Sequence, residues 1–137
     1  MSRQLKFSGM LLFLLGLLTG FVTMSLKNPR MGLAAHLEGV MNGSFLVIAG
    51  VVWNELRLAG PLKKTAFWTL MYGTFVNWIV TLIAAFLGTS KMTPITGQGY
   101  TGALLHENIV SAGFISVGFA MVFSVSVITY GLRGKIN

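Results

Sequence analysis

Apolar residues crowd into four long stretches separated by short polar breaks, at about residues 7–26, 34–56, 66–88 and 109–132. A bilayer core about 30 Å thick needs roughly 20 mostly apolar residues at a helical rise of 1.5 Å per residue. All four stretches meet that length. Backbone amides cannot stay unpaired in lipid, so each stretch is predicted to be a helix. The fold class that follows is all-α: a polytopic membrane protein, with four transmembrane helices bundled into a single domain over residues 1–137. The first stretch, FSGMLLFLLGLLTGFVTMSL, is too long for a secretory signal and lacks a small-residue cleavage site, which predicts that it is retained.

The breaks differ in character. KNPRMGL (27–33) reads as a tight turn, and RLAGPLKKT (57–65) carries a Gly-Pro pair that stops one helix before the next begins. TSKMTPITGQGYTGALLHEN (89–108) is long and rich in Gly and Thr, and a loop of that length is expected to have a role, here as a cover on the outer side. Seven of the ten basic residues, Arg3, Lys6, Arg57, Lys63, Lys64, Arg133 and Lys135, fall at the termini and in the second break, against Lys27, Arg30 and Lys91 elsewhere. By the positive-inside rule both termini face the cytoplasm of a bacterial-type inner (plasma) membrane.

Composition agrees: 54% of residues are hydrophobic, 9% are charged, and the mean hydropathy is +0.76. The net charge of +7 is spread over helix ends and forms no continuous basic patch, which argues against a nucleic-acid partner. The absence of cysteine excludes disulfides, thiol catalysis and thiolate-held haem or iron–sulfur clusters. No phosphate-cradling loop, HExxH pair, serine elbow or dinucleotide fingerprint occurs. Any chemistry must come from a histidine-bound metal or haem, or from acids and amides directly.

Polar residues inside the spans therefore carry the functional information, because each costs at least a few kcal/mol in lipid. The second span opens AAHLEGVMNG (34–43). At about 100° per residue, the face of His36 continues through Gly39, Val40, Gly43, Val47 and Gly50. Such a glycine groove suits a flat macrocycle whose iron an imidazole could reach, although taken alone the glycines are more commonly a close helix contact through a small-xxx-small pattern, Gly39 to Gly43. Glu38 and Asn42, four residues apart, share a second face about 120° or more away, which Trp53 continues. Thr74, Asn77 and Thr81 form a narrow polar stripe on the third span, flanked by Tyr72 and Trp78; Asn77 is either interhelical glue or part of a pocket for a small aromatic molecule. His106, Val110 and Gly113 repeat the spacing of His36, Val40 and Gly43 near the start of the fourth span.

The segments PRMGLAAHLEGVMNG (29–43) and LMYGTFVNWIVTLIAAFLGTSKMTPITG (70–97) resemble the small integral-membrane isomerases that include hydroxylaminobenzene mutase and styrene oxide isomerase. The resemblance implies a homotrimer in membrane lipid and a haem b with one axial histidine six residues before an asparagine that contacts substrate. That spacing corresponds to His36 and Asn42, and the glycines on the face of His36, Gly39 and Gly43, are the candidates to lie beside the cofactor. Tyr72 or Tyr100 would supply a tyrosine; Asn77, which the polar stripe and not the resemblance brings in, is the further candidate for the pocket. The reaction implied is redox-neutral: an aryl hydroxylamine rearranged to a 2-aminophenol, or an aryl epoxide to an arylacetaldehyde, with haem iron as Lewis acid. The YGTFVNW stretch (72–78) and the short chain favour the hydroxylamine. Two other classes compete: an electron-transfer haem protein with His36 and His106 as axial pair, and a transporter or structural subunit without cofactor.

Overall fold

The helices begin where backbone geometry and capping allow, several residues before the apolar runs do. In the structure, a computed structural model that describes residues 1–133, α1 spans Ser2–Val22, α2 Pro29–Val52, α3 Gly60–Leu87 and α4 Leu104–Gly131. All four are long and apolar enough to cross a membrane, and there are no strands among the described residues. The expected four-helix class is found.

Polar first turns explain the longer helices. Asn28 caps α2 by accepting from the Met31 N–H at 3.2 Å, with Pro29 in the first turn, where its missing N–H costs nothing. The Gly-Pro pair of the second break likewise lies inside the first turn of α3. α4 begins at Leu104, so His106, Glu107 and Asn108 are helical. The end of α3 follows ordinary rules: Gly88 takes φ +70, and its N–H bonds to the Ala84 carbonyl at 2.9 Å.

Packing follows chain order, α1 on α2, α2 on α3 and α3 on α4. The α1–α2 seam is built on glycine. A Cβ on Gly16 would lie 2.6 Å from the Gly39 carbonyl carbon, and one on Gly43 would lie 2.5 Å from the Phe13 backbone nitrogen. The backbones touch, as small residues permit in membranes. The glycine groove of α2 is thus filled by α1, and the open macrocycle bed expected at Gly39 and Gly43 does not exist within the protomer.

One apolar cluster draws on all four helices, including Leu5, Leu12, Leu46, Trp53, Phe67, Leu70 and Ile128. It lies at the end where Ser2 Oγ donates to the Gly50 carbonyl (2.7 Å) and Arg57 N–H to the Gly131 carbonyl (2.9 Å). Trp53 is fully buried there, edge-on to Phe67, apart from the polar residues it was grouped with on periodicity. Arg3, Lys6, Arg57, Lys63, Lys64 and Arg133 share this end; Lys135 lies outside the described residues.

Candidate functional site

The polar residues of α2 and α3 meet where the two helices pack. Glu38 and Asn42 stand one turn apart on the α3 side of α2, and the Asn42 amide donates to Glu38 Oε2 at 3.1 Å. The Asn77 amide, from α3, donates to the same oxygen. Asn42 Nδ2 also reaches the Thr74 main-chain carbonyl at 3.3 Å. A carboxylate inside a membrane needs donors around it, and here two amides supply them. Asn77 is therefore both glue between helices and a member of the cluster. The role of Glu38 is what residue-by-residue reading missed, although its i, i+4 spacing to Asn42 was visible.

None of the remaining oxygens of the cluster, Glu38 Oε1, Asn42 Oδ1 and Asn77 Oδ1, takes part in a hydrogen bond among the described residues. Nor are they fully buried: among the described residues the buried side-chain polar atoms without partners are Trp53 Nε1 and Thr89 Oγ1. The cluster thus turns acceptor oxygens toward accessible space.

His36 belongs to the other side of α2. Its Nδ1 lies 2.8 Å from the carbonyl oxygen of Gly16 on α1. A carbonyl can only accept, so Nδ1 carries a proton, and the tautomer of the neutral ring that fits this bond is the one with its lone pair on Nε2. Ligating histidines are usually oriented in this way, one ring nitrogen donating to a backbone carbonyl while the other is free to bind metal. Gly20 makes room for the ring, since a Cβ there would fall 2.9 Å from His36 Nδ1. Leu33, Leu37 and Met41, neighbouring turns on the side of α2 away from its packed seams, are exposed. The donor set fits a single-histidine ligand, whereas the filled groove at Gly39 and Gly43 gives a macrocycle no seat on that side.

Between the two faces runs Trp78. Its indole passes over Gly39, where a Cβ would meet Cδ1 at 3.0 Å, and its Nε1 donates to Thr19 Oγ1 on α1 at 3.2 Å. Thr19 is a buried polar residue in the apolar part of α1, three positions after Gly16. That lone threonine was the available signal for this contact.

The remaining candidates lie elsewhere. Tyr72 hydrogen-bonds Ser116 on α4 at 2.8 Å, about 140° around α3 from Asn77, so it does not join the cluster. Tyr100 sits in the third connection under the Arg30 guanidinium, 6.0 Å from ring centroid to Cζ. His106, in the first turn of α4, is separated from His36 in the packing order by α3.

The third connection is folded down onto the end of the bundle. Glu107 accepts from the N–H groups of Ser90 (2.9 Å), Lys91 (2.9 Å) and Gly102 (3.0 Å), which ties both ends of the loop to α4. Asn28 Nδ2 donates to the Thr96 carbonyl at 2.9 Å, and Arg30 to the Gln98 carbonyl, which ties the middle to the start of α2. The loop covers the α2 terminus two turns from His36.

Comparison with known proteins bears on this arrangement. The family described as styrene oxide isomerase matches residues 1–133. Hydroxylaminobenzene mutase HabB of Ectopseudomonas oleovorans is 42% identical over 134 residues, 97% of this chain and 82% of that protein. Hydroxylaminobenzene mutase HabA of the same organism is 39% identical over 133 residues, 96% of this chain and 98% of that protein. No solved structure matches the chain.

Proposed function

Because the chain belongs to the styrene oxide isomerase family and is an isomerase of the mutase kind, we propose that it rearranges an aryl hydroxylamine, such as hydroxylaminobenzene, to a 2-aminophenol within the membrane. The observation that carries the substrate is the near whole-length similarity to two proteins named hydroxylaminobenzene mutase. The reaction is an isomerisation. The N–O bond breaks, an ortho C–O bond forms, and the displaced ring proton is made good on nitrogen, so no external oxidant or reductant enters.

The chain's own residues bind and orient. Asn42, braced by Glu38 and the Thr74 carbonyl, offers its side-chain oxygen to the N–H or O–H of the substrate. Asn77 holds the carboxylate in place from α3. The surrounding apolar helices keep bulk water from a cationic ring, which water would otherwise capture.

His36 is proposed as the residue that would hold a haem b through Nε2, with Nδ1 fixed by the Gly16 carbonyl. When bound, the haem iron would supply Lewis acidity toward a substrate oxygen. The exposed Leu33, Leu37 and Met41 beside His36 suit a contact with a second subunit in a homotrimer. The basic residues at the Ser2 end of the bundle support, by the positive-inside rule, a topology with both termini in the cytoplasm of an inner membrane. A second reading, conversion of an aryl epoxide to an arylacetaldehyde, draws on the description of the matched family.

Incubating purified, detergent-solubilised protein separately with phenylhydroxylamine and with styrene oxide, with no redox partner, tests the choice. 2-Aminophenol from the first is expected. Phenylacetaldehyde from the second without 2-aminophenol from the first would select the epoxide reading.

A further inference from the structure

The amide of Asn42 has spent both of its hydrogens. One faces Glu38 Oε2 at 3.1 Å and the other the Thr74 main-chain carbonyl at 3.3 Å. The Thr74 carbonyl accepts whatever the protonation state of the cluster, so the NH2 side of the amide must face it. Asn77, donating to the same Glu38 oxygen from α3, prevents the carboxylate from swinging away. What Asn42 has left is Oδ1, which bonds nothing among the described residues and is not sealed off.

We infer that Glu38 and Asn77 are positioning residues that hold Asn42 as a hydrogen-bond acceptor only, so that the site selects aromatic substrates whose polar group carries an N–H or O–H. The inference rests on the reading of Asn42 as a substrate contact. It separates two substrate classes of similar size. An aryl hydroxylamine brings two donors to Oδ1. An aryl epoxide brings an ether oxygen alone, which sets acceptor against acceptor and leaves Oδ1 unpaired. A site that loses a partner for a desolvated polar group discriminates much more strongly than one that loses apolar contact. Rotation of Asn42, which would present NH2 instead, is blocked because it would turn Oδ1 toward Glu38 and Thr74 oxygens.

The test compares kcat and KM for phenylhydroxylamine and styrene oxide in the wild-type holoenzyme, Glu38→Gln and Asn77→Ala. The wild type is expected to favour phenylhydroxylamine by at least about tenfold in kcat/KM. In either variant the Thr74 carbonyl still sets which way the amide faces, but Asn42 loses the bracing that fixes where Oδ1 points, and that preference should fall about tenfold, mainly through a higher KM for phenylhydroxylamine, while the constants for styrene oxide move by less than about threefold. Variants that elute and melt like the wild type yet keep its preference, or that lose both substrates in parallel, overturn the positioning role. Should the variants not fold, the wild type suffices. 1-Phenylethanol, with its O–H, is expected to inhibit phenylhydroxylamine turnover at about tenfold lower concentration than styrene oxide. Equal or reversed inhibition overturns the inference while leaving the isomerase reading standing. A wild type inert toward both substrates overturns that reading and the inference with it.

Discussion

His36 on α2 is tethered to α1 by a 2.8 Å hydrogen bond from its Nδ1 to the Gly16 carbonyl, and Gly20, one turn further along α1, leaves the space that the imidazole occupies. The bond fixes the tautomer and orients Nε2 without using it.

Under the proposed haem ligation, His36→Ala is expected to abolish haem retention and His106→Ala to keep it. Gly20→Ala, whose methyl would crowd Nδ1 from 2.9 Å, should lower the ratio of Soret to protein absorbance at an unchanged expression level. Absorbance of the purified variants checks all three. Loss of haem in His106→Ala would instead support an axial histidine pair.

The α1–α2 seam should be intolerant of bulk. Gly43→Leu drives a side chain into the Phe13 backbone, 2.5 Å from the first atom alone, and overpacking of that kind costs about 1–3 kcal/mol or more. The thermal midpoint of the detergent-solubilised protein is expected to fall by several degrees. Gly60→Ala, with nothing within 4 Å, provides the control and should leave the midpoint close to that of the wild type.

Much of the fold was legible because the bilayer imposes it: 18 or more apolar residues can only be a helix, and four such runs gave the four helices. The start positions of α2, α3 and α4 were not, because Pro29, Gly60-Pro61 and His106-Glu107 read as breakers or polar loop, while each is compatible with a first helical turn. In the site, helical periodicity separated the His36 face from the Glu38 and Asn42 face correctly. It could not say which neighbour each face meets. Glycines that could have served a cofactor met a helix, the commoner use of such a pattern, and Tyr72 met Ser116. Those outcomes depend on pairing between helices, which a single chain's spacing does not encode.

Glu107 is expected to govern the outer loop. Its carboxylate accepts from three backbone N–H groups across the loop's two ends, and charged-group hydrogen bonds contribute about 1.5–3 kcal/mol each at most. In Glu107→Ala the loop should loosen, and trypsin should cut after the exposed Lys91 faster than in the wild type. Unchanged cleavage, read by mass spectrometry over a time course, would mean that Asn28 and Arg30 suffice to hold it.

Removing the Asn42 side chain should weaken the transition state more than the fold. Asn42→Ala is expected to lower kcat/KM for phenylhydroxylamine by roughly ten- to hundredfold, the equivalent of one hydrogen bond to a polarised group. The haem content should stay near that of the wild type, because His36 lies on a different face. Steady-state kinetics normalised to Soret absorbance distinguishes this from a loss of cofactor.

The most direct test of intramolecular rearrangement is isotopic. Purified protein is incubated with phenylhydroxylamine in water enriched in oxygen-18, without oxidant or reductant, and the product is weighed by mass spectrometry. Unlabelled 2-aminophenol is predicted, since the oxygen travels from nitrogen to carbon within one molecule. Incorporation of label from water, or the absence of 2-aminophenol, would contradict it.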